Sequence, residues 1–328
     1  MTINYNRDDH QLDRLFFHLT DCFNFPLKSL KKINDKVYLI NFINDEHPLV
    51  IKKFPTYNKL KKQKLLTDYL VLNGFPTYTF MQRNDYLFRE QNSYYAILQY
   101  LPKHEQVFTF DKENDRISGL NLLNHFHKES RKFAGMLTND QLTIFPKLNL
   151  EERWYKRLDF FLSQEKIITN YIPLEYFREI TYWSQWALLQ MGDNKRERTL
   201  EEHAIIHGDV AHHNFLRAVN NRLYLIDFDL TAYAYPVYDY VQYALRTISF
   251  MNWNLDQLFT HKVYEKYKEN RWFLSALTFP NEIIREWNQL IRLGKYHHEK
   301  WLTYGVKLAL SRFPGQQYVF NRIRNMLS

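Results

Sequence analysis

Residues 204 to 230 constrain this chain more than any other stretch. They read Ala-Ile-Ile, then a dense polar loop from His207 to Asn214, then the apolar run Leu223-Tyr224-Leu225-Ile226 ending in Asp227. From about Asp115 onward the surrounding periodicity is helical: Leu120, Leu123 and Phe126-His127 mark one helix, Leu158, Phe161 and Leu162 another, and Tyr182, Trp186 and Leu189 a third. The pattern predicts two short strands flanking a polar loop inside a helical half.

The other half reads differently. Leu12, Leu15, Phe16, Leu19 and Phe23 form one apolar stripe over residues 8 to 23, a helix. Short runs rich in Val, Ile, Tyr and Phe follow at Val37 to Phe42, Leu49 to Phe54, Thr79 to Arg83, Tyr86 to Glu90 and Tyr94 to Tyr100. They predict a small antiparallel sheet. A helix from about Asn58 to Leu72 is closed by Asn73-Gly74 and Pro76. Leu101-Pro102 then interrupts the pattern, so we expect an α+β chain of two lobes, residues 1–101 and 102–328. A length of 328 residues accommodates both.

Net charge is +8, which favours nucleic acid, an anionic surface or a phosphorylated ligand without choosing among them. No nucleic-acid motif accompanies the charge, so nucleic acid is set aside as a partner. The densest basic cluster, Lys59, Lys61, Lys62 and Lys64, reads as a solvated helix face. One cysteine, Cys22, excludes an internal disulfide or cysteine zinc cage and reads as core packing. Met1 to Arg7 carries no signal-peptide core, and no later stretch reaches the ~18 apolar residues that span a bilayer. A soluble, cytoplasmic protein without membrane partners is the expectation. Trp154, Trp183 and Trp186 recur at helical spacing and are assigned to packing.

A phosphoryl-transfer site needs a carboxylate to take the proton of an attacking hydroxyl, and hard oxygen ligands to hold magnesium against nucleotide phosphates. Asp209, Asn214 and Asp227 supply such groups, the first two on one loop five residues apart. Singly, each also reads as a turn residue, a loop cap or a strand-end carboxylate. His207, His212 and His213 with Asp209 admit a zinc reading, which leaves Asn214 and Asp227 unexplained. Asp229 stays open between metal surroundings, substrate contact and surface charge. No Walker A or Gly-x-Gly-x-x-Gly pattern occurs.

The segment His207-Gly208-Asp209, four residues, Asn214, and Asp227 after a hairpin-length interval resembles the aminoglycoside phosphotransferase and choline kinase-like superfamily, relatives of protein kinases. The resemblance implies a two-lobed protein-kinase-like fold and ATP-dependent transfer to a hydroxyl of a small molecule. Asp209 would be the base, Asn214 and Asp227 the magnesium ligands, and His207 a support for the loop. Pro236-Val237-Tyr238-Asp239 resembles the helix start whose Asp239 braces that loop. Leu49-Val50-Ile51-Lys52 resembles the strand whose lysine binds nucleotide phosphates, and Leu98-Gln99-Tyr100-Leu101-Pro102 the hinge, so Gln99 and Leu101 would face the nucleotide. Together these residues would form one site. Leu123 to His127 with Ser130, paired His212-His213 and Ile-Asp-Phe-Asp resemble the endospore coat-associated branch, which would add spore coat proteins as partners and location.

Two features depart from that pattern. The nucleotide-covering stretch, Lys31 to Val37, turns through Asn34-Asp35 without glycine, and no glycine precedes Gly74. Gln63 stands where a helix glutamate pairs with the strand lysine; an amide hydrogen-bonds Lys52 without neutralising it, which predicts a loosely held lysine and poor ATP affinity. The competing reading is a silent pseudokinase acting as a structural or interaction protein.

Overall fold

The computed structural model describes residues 9–22, 27–43, 47–81, 87–90, 92–199 and 202–328. Phe23, Arg83 and Tyr86, read above as parts of elements, lie outside them, as do Met1 to Arg7 and the side chains of Leu12 and Cys22. The chain forms two compact units. One comprises Met1–Val107, Asn139–Ile144 and Leu216–Asp229; the other comprises Phe108–Thr138, Phe145–Phe215 and Leu230–Ser328.

The first unit is built on an antiparallel sheet. After helix α1 (Asp9–Cys22) come strands β1 (Leu27–Asn34), β2 (Val37–Phe42) and β3 (Leu49–Phe54), helix α2 (Tyr57–Leu72), β4 (Leu87–Glu90) and β5 (Ser93–Gln99), in sheet order β1-β2-β3-β5-β4. Alternation sorts the two faces. Ile51, Tyr95 and Ile97 join Tyr38, Ile40 and Phe42 in a core that Leu15 and Leu19 of α1 cover. Lys52 and Phe54, one residue out of phase, point the other way, and Lys52 pairs with Ala96 in the register.

Three expectations change here. β1 is an additional strand, and it makes the nucleotide-covering stretch a tight β1-β2 hairpin in which Asn34 pairs with Val37 and its Oδ1 accepts from the Lys36 N–H. The run at Thr79 shrinks to one bridge, Phe80 to Leu98, because its neighbours bond to the β5 edge only through Met81 N–H and the Thr79 carbonyl. The lysine face of α2 is only partly solvated: Lys59 and Lys61 are exposed, but Lys62 is 5% exposed and Gln63 1%. Thr56 caps α2 by accepting from the Lys59 N–H, and Gly74 takes the positive φ that ends it.

The second unit is mainly helical, with α3 (Glu113–Met136) followed by helices at Leu150–Ser163, Leu174–Asp193, Val237–Thr247, Asn281–Arg292 and Glu299–Leu327 among others. Trp154, Trp183, Trp272 and Trp287 are fully buried, while Trp186 lies at the margin with its edge on Phe320. The buried stripe of Leu174–Asp193 runs through Phe177, Ile180, Trp183 and Ala187, so Tyr182 and Leu189 face outward, one step from the expected register. A short antiparallel ribbon pairs Ala204–Ile206 with Ala232–Ala234. The expected strand before Asp227 is Leu223–Leu225, which pairs with Phe215–Arg217.

Candidate active site

In the first unit, an ammonium on the sheet meets two carboxylates from far along the chain. Lys52 Nζ lies 2.8 Å from Asp227 Oδ1 and 2.7 Å from Asp229 Oδ1. Its side chain is 8% exposed, so the charge would be costly without partners. Burial opposes that charge, yet the surroundings from Tyr78, Asp227 and Asp229 prevail and push the Lys52 pKa up. Tyr78, itself pushed up to about 12, is neutral at physiological pH, so the two carboxylates supply the field. Asp227 follows the short strand and takes a left-handed φ of 67°, a region that Asp tolerates better than most residues. That kink turns its carboxylate back toward the sheet.

Gln63 occupies the expected place on α2 but does a different job. Its Nε2 donates to Asp229 Oδ1 and its Oε1 accepts from Tyr78 at 3.4 Å. The charge missing at Gln63 comes from Asp229, so Lys52 is held by two carboxylates rather than loosely. Lys36, at the hairpin turn, reaches Asp229 Oδ2 at 3.1 Å, and Lys62 Nζ donates to the Asp229 carbonyl at 3.2 Å. Burial pushes Lys62 down to about 8 against the pull of Asp229. Asp229 is destabilised as an anion by its own burial, but Lys52, Gln63 and Lys36 hold its carboxyl well below the usual range. Asp229, which the sequence left open, is the second counter-ion of Lys52; the signal in the sequence was a lysine opposite an amide, Gln63, that cannot neutralise it.

In the second unit, the polar loop is fixed by one buried carboxylate. Asp239 Oδ2 accepts from the His207 N–H at 2.7 Å and meets His127 Nε2 at 2.9 Å, while its Oδ1 accepts from the Gly208 N–H at 2.9 Å. Burial works against the Asp239 anion, and His127, His207 and the Gly208 N–H outweigh it. Gly208 has φ 78°, and a Cβ there would run into the Leu230 carbonyl, so only glycine fits. His207 accepts from the Asp209 N–H at 3.3 Å, and Asn214 Nδ2 donates to the Asp209 carbonyl at 2.8 Å. Asp209 Oδ1 is paired with Arg246 at 2.9 Å.

Each unit, taken by itself, keeps oxygen acceptors. Asn214 spends its Nδ2 on the loop, which leaves Oδ1 as an acceptor, and Asp227 is engaged by Lys52 through Oδ1 and keeps Oδ2. Carboxylate and amide oxygens suit a hard cation such as magnesium, which takes one or two protein carboxylates and completes its shell with water and phosphate. No group of three or more His, Cys, Asp or Glu that could hold a metal occurs among the described residues, so His207, His212, His213 and Asp209 do not form the zinc set admitted by the sequence. Gln99 is exposed, with its N–H on the Thr79 carbonyl, and Leu101 is buried.

Comparison with known proteins bears on the family resemblance and the fold. Residues 122–269 match the model of a phosphotransferase enzyme family, a span that contains Asp209, Asn214, Asp227 and Asp239. An aminoglycoside phosphotransferase from Alicyclobacillus acidocaldarius superposes with a TM-score of 0.66 at 13% identity, covering 93% of this chain and 94% of that one. The fold is that of the aminoglycoside phosphotransferases. The GDP and kanamycin complex of APH(2")-IIia aligns with a TM-score of 0.59 at 18% identity over 92% and 97% of the two chains. The AMP-bound spectinomycin phosphotransferase APH(9)-Ia gives 0.61 at 14% over 94% and 98%. No curated protein matches the sequence. The resemblance to the aminoglycoside phosphotransferase and choline kinase-like superfamily therefore stands on both sequence and fold, and it supports a phosphotransferase of the kinase-like type. No helix among the described residues is long and apolar enough to cross a membrane.

Proposed function

We propose that this chain transfers a phosphoryl group from ATP to a hydroxyl of a small molecule. The observation that carries the reading is the Lys52 to Asp227 pair at 2.8 Å, formed by residues 175 apart in sequence. A buried ammonium beside a carboxylate with a spare oxygen is the arrangement that binds nucleotide phosphates together with a metal. In this reading Lys52 contacts the phosphates, Asp227 and Asn214 hold magnesium, and the Gln99 to Leu101 segment meets the base. Magnesium, when bound, neutralises phosphate charge. Asp209 orients the acceptor hydroxyl and takes its proton, Arg246 holds the Asp209 carboxylate in place through their ion pair, and Asp239 with His207 holds the loop that carries both Asp209 and Asn214. The reading requires all of these side chains to act on one nucleotide.

A titration with ATP, with and without magnesium, followed by a screen of hydroxyl compounds for ADP release, tests it. Magnesium-dependent binding and acceptor-dependent ADP release are expected; ATP binding that ignores magnesium and Asp227 would overturn it. A second reading, a silent pseudokinase serving as a structural or interaction protein such as a spore coat component, has one observation in its favour. The glycine-free hairpin carries Lys36, whose ammonium is tied to Asp229 rather than free.

A further inference from the structure

The region of the second unit around Asp209 is crowded with arginine. Arg153 and Arg157 lie four residues apart on the Leu150–Ser163 helix, hence on one face, and that helix packs against Asn281–Arg292, which carries Arg285 and Arg292. Arg246 comes from Val237–Thr247 and Arg312 from the last helix. Three of these six have carboxylate partners: Arg246 with Asp209 at 2.9 Å, Arg285 with Glu286 at 2.7 Å and Arg312 with Glu282 at 3.1 Å. Arg292 lies over the Phe160 ring at 4.3 Å. Asp239, the remaining acid that Arg153 senses, is already engaged by His127 and two backbone N–H groups.

Arg153 and Arg157 are left over. Both are half-buried; among the described residues Arg157 donates only to the neutral Asn281 Oδ1, and no side-chain partner of Arg153 is seen. Burial pushes the Arg157 guanidinium down, and the surrounding arginines Arg153, Arg285, Arg246 and Arg292 push it further, to about 9. Arg153 is lowered by burial against the pull of Asp209. Asn281, which accepts from Arg157, also lines a small hollow partly open to solvent, together with Glu282, Leu245 and Arg312. An uncompensated set of guanidinium groups is a receptor for an anion, because each presents a planar fork of donors matched to phosphate or carboxylate.

We infer that the acceptor bound beside Asp209 is anionic: a hydroxyl compound that also bears a phosphate or carboxylate, gripped by Arg153 and Arg157. The inference rests on the reading of Asp209 as the base that receives the acceptor hydroxyl. It sets this chain apart from the enzyme whose structure holds kanamycin, a polyamine that a cluster of this sign would repel.

Calorimetric titration of the full chain with glucose 6-phosphate, gluconate, glucose and kanamycin tests it, with ADP release followed for each in the presence of magnesium ATP. At least one of the two anions should bind more tightly than glucose or kanamycin, and which one distinguishes phosphate from carboxylate recognition. Its affinity should fall about 10- to 100-fold in Arg157→Gln and in Arg153→Gln, while glucose binding stays unchanged. Among the described residues the Arg153 side chain has no hydrogen-bond or ion-pair partner, so Arg153→Gln carries the test if Arg157→Gln misfolds. Failure of both anions to bind, tighter binding of kanamycin, or anion affinity indifferent to both variants would overturn the inference. ADP release with glucose or kanamycin alone would do the same while leaving the phosphotransferase intact. Anion binding that needs both arginines, without ADP release from any acceptor, would keep the anion site and remove the reaction.

Discussion

Replacing Asp229 with asparagine keeps the size and one acceptor oxygen of the side chain and removes its charge. Lys52 would then face Asp227 alone, with Lys36 and Lys62 still close by. Breaking a buried ion pair costs about 3–5 kcal/mol; the Asp229 side chain is 26% exposed and Asp227 remains, so we expect about 2–4 kcal/mol. Tryptophan fluorescence would miss the loss, because every tryptophan, from Trp154 to Trp301, belongs to the second unit. Amide hydrogen exchange in β3 and β5 reports the right place, and protection there should fall by roughly 30- to 1000-fold at pH 7. The sign of the pH dependence follows from the lowered Asp229 pKa. Its stabilisation is complete above the unfolded value of 3.8 and is lost as pH falls through the lower folded value. The gap between wild type and Asp229→Asn should therefore be flat from about pH 5 to 8 and narrow progressively as pH falls below 3.8. Equal protection at pH 7, or a gap that persists undiminished in acid, would refute Asp229 as the counter-ion of Lys52.

Other outcomes follow from the same contacts. Asp209→Asn should lower turnover by about 10²- to 10⁴-fold with nucleotide affinity nearly unchanged, read from steady-state kinetics beside a binding titration. Asp227→Ala should weaken ATP binding mainly in the presence of magnesium, so the two titration curves of the variant should converge. Lys62, pushed down to about 8 by burial, releases its proton in the folded state before the unfolded one does, so wild-type stability should rise between pH 8 and 10.5. Lys62→Met should be more stable than wild type by ~1–2 kcal/mol at pH 7, with the gain fading as pH approaches 10.5, measured by exchange in the first unit.

The loop's framework was legible because it is local. His207 to Asn214 is a short run whose spacing alone fixes which groups share a loop, and Asp239 follows a recognisable helix start. The strands at Val37–Phe42 and Leu49–Phe54 were also legible, since alternation marks them. β1 was not: Leu27, Leu30 and Ile33 recur every third residue among lysines, and only pairing with β2 makes them a strand. Lys62 and Gln63 sit between Leu60 and Leu66 on the buried side of α2, a position that charge composition disguised as solvated surface. The role of Asp229 and the gathering of Arg153, Arg157, Arg246 and Arg285 depend on contacts between segments far apart in sequence, which no local pattern announces.

The first unit is assembled from three separate stretches of chain, and that has a consequence for synthesis. Lys52 emerges from the ribosome 175 residues ahead of Asp227, and Gln63 emerges 166 ahead of Asp229. At about 5–20 residues per second the sheet waits roughly 10–35 s for its counter-ions. Over that interval the backbone sites that later receive the hairpin, the Pro76 carbonyl for the Leu225 N–H and the Gly74 carbonyl for Arg222, have no occupant either. The sheet thus stays chemically unfinished until residues 216–229 have been made. A ribosome stalled before Asp227 would carry a sheet whose Lys52 lacks both of its carboxylates.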